Sequence, residues 1–315
     1  MSQSLVSESL VFCGTPLFAV PTLEALVHAG FLVRLVVTRP DKPRGRGLAL
    51  MPSPVKQSAL ALNLPVTQPE SIKNNHEFRS QLASIHPDTI IVVGYGRIIP
   101  QWMIDLPRRG NINLHASLLP KYRGAAPIQW AIARGETTTG VTTMRIDAGL
   151  DTGDILLQRE MAIGTNDTAE TLAPALATFG ADLVVETLRG LQAGGIEARP
   201  QDNGQASLAP ILKKEDGRID FRLSSHEIRN RMRGFQPWPG VFTSFRGKNL
   251  HLWGGALSER SLVPGELLAE GDRLFMGCGE DALEILEVQL EGKKRMAARD
   301  FIHGYRPQTR EKLGS

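Results

Sequence analysis

Apolar and polar positions along the 315-residue chain fall into two regimes that meet near residue 207. In the first, short apolar runs alternate with amphipathic stretches. Leu10-Val11-Phe12-Cys13-Gly14 predicts a buried strand, Phe18 to His28 a helix stopped near Gly30, and Phe31 to Thr38 a second strand carrying Val33, Leu35, Val36 and Val37. Thr89 to Val93 and Gly110 to His115 continue the series. Strand, helix and strand in that order open a mostly parallel, Rossmann-like α/β sheet. Pro127 suits the first position of a helix over Ile128 to Arg134, closed by Gly135. Asp167-Thr168-Ala169-Glu170 has the pattern of a capping box opening a long helix, with Leu172, Leu176, Phe179 and Leu183 along one face. Pro174 conflicts with that helix, since an interior proline costs roughly 3 kcal/mol. A later start and a kink both remain open.

Leu191 to Ser207 is rich in Gly, Gln, Asn and Pro and reads as a linker. Beyond it, Val241 to Phe245, Asn249 to Trp253, Arg273 to Met276 and Leu283 to Leu290 are short strands separated by glycine turns. That spacing predicts a smaller all-β domain, an OB-like barrel. The expected organisation is a sheet domain over residues 1–190, a linker over 191–207 and the β domain over 208–315.

Composition adds little: 42% hydrophobic and 22% charged residues are those of an ordinary globular chain. No run reads as the ~20 apolar residues of a membrane span. The Ser-rich start lacks a basic stretch followed by a long apolar core, so the expected location is the cytoplasm. Cys13 and Cys278 lie far apart and suit two reduced thiols rather than a disulfide framework or a metal site. Charge is more telling. Residues 1–207 carry 18 Lys+Arg against 18 Asp+Glu, while residues 208–315 carry 18 against 15. Within the first part, Arg39, Lys42, Arg44, Arg46 and Lys56 cluster in one stretch opposed only by Asp41. Positive charge gathered in one loop and in the last third suits an anionic macromolecular partner as well as a solvated basic face.

Candidate chemistry begins in the strand ending at His115. Side chains two apart share a face, so Asn113 and His115 point one way and Leu114 the other. An amide and an imidazole aimed at one point can clamp a carbonyl oxygen that becomes an oxyanion, although such a pair also serves purely structural ends. Met144 to Asp154 then packs Asp147, Asp151 and Asp154 with Gly149 and Gly153 into a short loop. Calcium is excluded there: an EF-hand loop opening at Asp147 would meet Gly149 at its third position, Thr152 at its sixth and Gln158 at its last. The first strand ends in a lone Gly14 followed by Thr15-Pro16, so the G-x-G-x-x-G dinucleotide cradle is missing.

Asn113-Leu114-His115, Ser117-Leu118-Leu119-Pro120-Lys121-Tyr122-Arg123-Gly124, and Gly140-Val141 through Gly153-Asp154 together resemble the folate-dependent formyltransferase family. The resemblance runs from Phe12-Cys13-Gly14-Thr15-Pro16 to Asp300-Phe301-Ile302-His303-Gly304-Tyr305. It implies catalysis by Asn113, His115 and Asp151, with Asp151 orienting the imidazole and relaying the amine proton through water, and Asp147 and Asp154 left to support turns. It also implies a folate pocket for 10-formyltetrahydrofolate, lined by Gly94, Tyr95, Gly96, Arg97 and Ile98 and by Ser117, Leu118, Leu119 and Pro120, with no metal. Core packing remains open for Ile98, and a plain surface position for Tyr95. The long basic loop from Thr38 to Lys56, rich in Pro and Gly and expected to be irregular, resembles the insertion by which family members acting on methionyl initiator tRNA engage the acceptor end. Lys42, Arg44 and Arg46 are its implied RNA contacts; Leu48-Ala49-Leu50 stands where some relatives carry more Lys or Arg. Arg229, Arg231, Arg233, Lys293, Lys294 and Arg295 are expected to add diffuse affinity. A monomer is expected. Formyltransferases acting on glycinamide ribonucleotide or amino-sugar nucleotides, and an inert RNA-binding protein on the same scaffold, are the alternatives.

Overall fold

The computed structural model describes residues 8–44, 49–308 and 310–314, and of Arg44 and Ala49 the backbone alone. Seven strands form the first sheet in the order β5-β2-β1-β6-β7-β8-β9. These are β1 (Ser9–Gly14), β2 (Leu32–Val37), β5 (Val66–Thr67), β6 (Thr89–Val93), β7 (Asn111–His115), β8 (Thr138–Arg145) and β9 (Ile155–Ala162). Pairs β5·β2, β2·β1, β1·β6 and β6·β7 are parallel, and β7·β8 is antiparallel. Strand β6 is buried at every position, as a parallel strand covered on both faces must be. On one face Val11, Cys13, Leu35, Val37, Ile90 and Val92 meet Phe78 and Leu82 of α3 (His76–Ile85) and Met103 of α4 (Gln101–Ile104).

The other face receives α6 (Ala169–Gln192). Its buried positions Leu172, Leu176, Gly180, Leu183, Val184, Thr187 and Leu188 recur every three or four residues, the stripe of a helix lying on a sheet. Gly180 lets it come close, since a Cβ there would stand 2.7 Å from Leu114 Cδ2. That contact fixes the β7 alternation: Leu114 faces α6, leaving Asn113 and His115 on the opposite side. Helix α6 starts one residue later than the sequence pattern suggests. Thr168 and Thr171, not Asp167 and Glu170, exchange the capping bonds, at 3.0 and 3.2 Å. Pro174 stays inside the helix on its exposed side, so the helix does not start after it. By length and composition alone α6 could cross a bilayer, contrary to the expectation from the bare sequence; half of its most apolar window is buried within the protein.

Two further expectations change. The loop between β2 and α2 (Pro54–Ala61) is not irregular: β3 (Lys42–Arg44) and β4 (Ala49–Met51) form a hairpin with Lys42 opposite Met51 and Pro43 opposite Leu50. Its tip, with Arg46, lies outside the described residues. Second, the predicted barrel is seen as an antiparallel sheet of order β10-β11-β14-β13-β12, with β15 on β14. The strands are β10 (Val241–Phe245), β11 (Lys248–Ser258), β12 (Leu267–Glu270), β13 (Arg273–Gly277), β14 (Ala282–Leu290) and β15 (Met296–Ala297). No pairing among the described residues joins β10 to β12.

The chain divides into two compact units: residues 1–127, 139–162 and 173–209, and residues 128–138, 163–172 and 210–315. Packing within the second explains its three pieces. Helix α7 (Ser225–Gly234), opened by a Ser224–Glu227 capping box, lies so close to α5 (Pro127–Ala133) that a Cβ on Gly234 would meet Gln129 O at 2.5 Å. Phe235 packs edge-on to Trp130 at 5.2 Å. Arg229 donates to Thr165 O and Asn166 Oδ1, and Arg233 to Gly164 O and Asp167 O. These two arginines, expected as diffuse RNA contacts, are committed to holding the unit together.

Candidate active site

The carboxyl ends of β1, β6 and β7 lie side by side, where open α/β sheets bind ligands. Asn113 is half-buried on β7, and its amide makes no hydrogen bond to any described residue, so both its donors are free for a ligand. His115, two residues on, is 6% exposed. Its Nε2 lies 2.9 Å from Tyr122 O. A carbonyl only accepts, so Nε2 carries the proton in that contact and the ring is pinned with Nδ1 turned toward Asp151. Asp151 Oδ2 stands 3.7 Å from Nδ1, beyond a direct hydrogen bond but close enough to balance an imidazolium and to share a water.

Asp151 reaches that place from a left-handed backbone, φ 51°, which is uncommon for a residue with a side chain. Its Oδ2 also accepts from Gly124 N at 2.8 Å, tying the carboxylate to the loop after β7. Around it the acidic loop is a set of turns. Asp147 accepts from Gly149 N at 3.0 Å and Thr152 Oγ1 at 2.7 Å, the supporting role expected of it. A Cβ on Gly153 would stand 2.0 Å from Arg145 O, so only glycine lets the chain pass there.

The expected pocket residues divide by placement. Gly94 and Gly96 are exposed with φ 55° and 73°, and Ile98, 91% exposed, is not core. Arg97 donates to Glu70 O at 2.5 Å. Tyr95 differs: only 1% exposed, it points into the core beside Cys13 and Met103, and its buried hydroxyl has no partner among the described residues. Burial pushes its phenol well above the usual range. Ser117 is fully buried and donates to Lys121 O at 2.7 Å, while Leu119 packs with Met144 and Ile155. Both frame the loop, leaving Leu118 and Pro120 half-exposed. Lys56 of α2 is neutralised by Asp41 at 2.7 Å, and Lys42 of the hairpin is exposed. Among the described residues no cluster of His, Cys, Asp and Glu could hold a metal ion.

Residues 8–188 match the formyl transferase family and residues 211–306 the formyl transferase C-terminal domain. The chain is 68% identical to the methionyl-tRNA formyltransferase of Koribacter versatilis over 97% of its own length and 98% of that protein's. It is 63% identical to the methionyl-tRNA formyltransferase of Acidobacterium capsulatum, covering 96% and 98%. This chain belongs to the methionyl-tRNA formyltransferase family. Among solved folds it resembles WlaRD, a sugar 3N-formyl transferase crystallised with dTDP and 5-N-formyl-THF, at TM-score 0.67 and 19% identity over 91% of this chain and 99% of that one. It also resembles HypX from Aquifex aeolicus, crystallised with tetrahydrofolic acid, at TM-score 0.61 and 18% identity over 96% and 48%.

Formyl transfer needs an oxyanion site and a route for one proton, and an amide, an imidazole and a carboxylate such as those of Asn113, His115 and Asp151 are groups that could supply both. Reasoning from sequence missed what holds them. Tyr122 O, Gly124 N, Arg123 and Gln201 carry no local periodicity that marks them, and Gln201 lies in the stretch read as a linker. The resemblance did include Tyr122-Arg123-Gly124, the available signal.

Proposed function

We propose that the protein transfers the formyl group of 10-formyltetrahydrofolate to the free amino group of methionyl initiator tRNA, with Asn113, His115 and Asp151 at the reacting centre. One observation carries the site assignment: the Asp151 carboxylate faces His115 Nδ1 at 3.7 Å, and on the strand face that His115 shares, the Asn113 amide bonds to no other described residue. The neutral amine attacks the formyl carbon, forming a C–N bond and placing the carbonyl electrons on oxygen. The Asn113 amide and a protonated His115 Nδ1 donate to that oxyanion. Asp151, through water, takes the proton that the amine sheds. Collapse breaks the bond to the folate N10, and the proton ends on that nitrogen.

Gly94, Gly96, Arg97, Ile98, Leu118 and Pro120 offer the folate its lining, while Tyr95, Ser117 and Leu119 support that lining from beneath. Lys42 and Arg44, with Arg46 beyond the described residues, supply the RNA contacts of the hairpin. The antiparallel β sheet, in our reading an OB-like fold, adds a stacking face: Phe242, His251 and Trp253 run across β10 and β11, with ring centroids 5.4 and 6.2 Å apart, and the Arg295 guanidinium lies 5.0 Å from the Trp253 ring. We assign the first unit to catalysis and the second to tRNA, in a cytoplasmic monomer. The test is transfer of labelled formyl from 10-formyltetrahydrofolate, with methionyl initiator tRNA, glycinamide ribonucleotide and an amino-sugar nucleotide as parallel acceptors. Label on the charged tRNA alone is the expected result. Label on a small acceptor would keep the chemistry and reassign the hairpin and the second unit.

A further inference from the structure

A buried guanidinium stands behind the site without touching the reacting groups. Arg123 is 7% exposed. Its Nε and Nη2 donate to Gln201 Oε1 at 3.0 and 2.8 Å, and Nη2 also donates to Asn203 Oδ1 at 2.9 Å. Both partners are neutral amides, although a buried cation is most readily stabilised by a carboxylate. The arrangement becomes intelligible from the other end of Gln201. With its Oε1 held by the guanidinium, its Nε2 must point the opposite way, and it donates to Asp151 O at 2.9 Å and to Gly153 O at 2.7 Å. Those carbonyls bracket the turn in which Asp151 is left-handed. A carboxylate at 201 would satisfy Arg123 better, yet would set acceptors against both carbonyls. Only an amide serves the cation and the turn together.

The same frame fixes the opposite wall. Arg123 N donates to Ser207 O at 2.8 Å, Ala209 N to Arg123 O at 2.7 Å, and Tyr122 N to Ser207 Oγ at 2.9 Å. Tyr122 O pins His115 Nε2 and Gly124 N holds Asp151 Oδ2. Residues 201–209 thereby bond both to the segment that pins the imidazole and to the turn that carries the carboxylate.

We propose that Gln201, oriented by Arg123, is a positioning residue that holds Asp151 at its distance from His115. The proposal rests on the catalytic assignment above and deepens it. The experiment is a double-mutant cycle in the full-length protein, read as single-turnover formyl transfer to methionyl initiator tRNA, with KM for both substrates and melting temperature followed alongside. Gln201→Leu is expected to slow transfer about ten-fold, the equivalent of about 1.4 kcal/mol, with each KM within about two-fold of the native value. Gln201→Glu is expected to slow it as much, despite its stronger contact to Arg123. In an Asp151→Asn background neither change should cost anything further.

Equal losses in both backgrounds would make Gln201 merely structural and overturn the proposal. Native rates in Gln201→Leu or Gln201→Glu, beside an inactive Asp151→Asn, would overturn it while leaving the catalytic assignment standing. A native rate in Asp151→Asn alone would remove the carboxylate from the reaction and the proposal with it. Arg123→Lys, which keeps the charge and loses the fork, provides an independent arm should the Gln201 variants fail to fold. A several-fold loss that vanishes with Asp151→Asn is expected, and an equal loss in both backgrounds overturns the proposal again.

Discussion

Single residues divide sharply by what could be read from the chain. That Asn113 and His115 share one face follows from strand alternation alone, and Leu114 against Gly180 shows the physical reason. Asp151 is legible only through the family pattern, because a lone aspartate in a loop with two others carries no periodic signal. Tyr95 was legible as an aromatic after a strand but not as a buried one, since the turn formed by Gly94 and Gly96 folds its ring back into the core. His251 supplies a prediction at this scale. Burial and the Lys214 ammonium hold its imidazole below the ordinary value, and its Nδ1 is buried without a partner among the described residues. The unfolded chain therefore binds this proton more readily than the folded one. The stability His251 contributes is full above about pH 6.5 and is lost as pH falls through that value toward the depressed folded one. Melting temperature should drop between pH 7 and pH 5, and His251→Phe, which keeps a ring between Phe242 and Trp253, should shrink that drop. An unchanged pH dependence in the variant would show that other groups carry it.

Elements with a strong period were legible, and those built by long-range contacts were not. The apolar strands fell where periodicity placed them and the α6 stripe did so at Leu172, Leu176 and Leu183, with Phe179 half-buried, while the capping residues shifted by one because Thr168 and Thr171 exchange the backbone-to-hydroxyl bonds. Residues 201–207 read as part of a linker because Gly, Gln, Asn and Pro mark irregular chain; their bonds to Tyr122 and Arg123 bridge about 80 residues and leave no local trace. The β3–β4 hairpin was hidden by its prolines, which tolerate an isolated two-stranded ribbon better than a central sheet. Pro174 is a cost the helix bears. It removes the bond that its nitrogen would make to Glu170 O, on a side facing solvent where no packing compensates. Pro174→Ala should stabilise the protein by about 1–3 kcal/mol in denaturant unfolding, and a neutral or destabilising result would mean that the proline shapes the entry to α6.

At the scale of the whole molecule, a mostly parallel sheet and an antiparallel one were both legible from the change of apolar pattern near residue 207. The compact units add what the pattern could not show: residues 128–138 and 163–172 pack with the second unit through Trp130, Arg229 and Arg233 rather than with their sequence neighbours. The charge map changes accordingly: with Arg229 and Arg233 engaged by backbone carbonyls and Lys56 by Asp41, the hairpin's Lys42 and the exposed Lys293 and Lys294 are better placed to meet an anionic partner. The proposed mechanism turns on one imidazole, pinned by Tyr122 O and faced by Asp151. The most direct measurement is the single-turnover rate of transfer from 10-formyltetrahydrofolate to methionyl initiator tRNA by the native protein, His115→Ala and Asp151→Asn, each with its folate affinity. Rates lowered by about 10²–10³ are expected for His115→Ala, in line with the loss of one oxyanion donor, and by about 10²–10⁴ for Asp151→Asn, the worth of a positioned proton acceptor, with folate still bound. A near-native rate in either would contradict that mechanism.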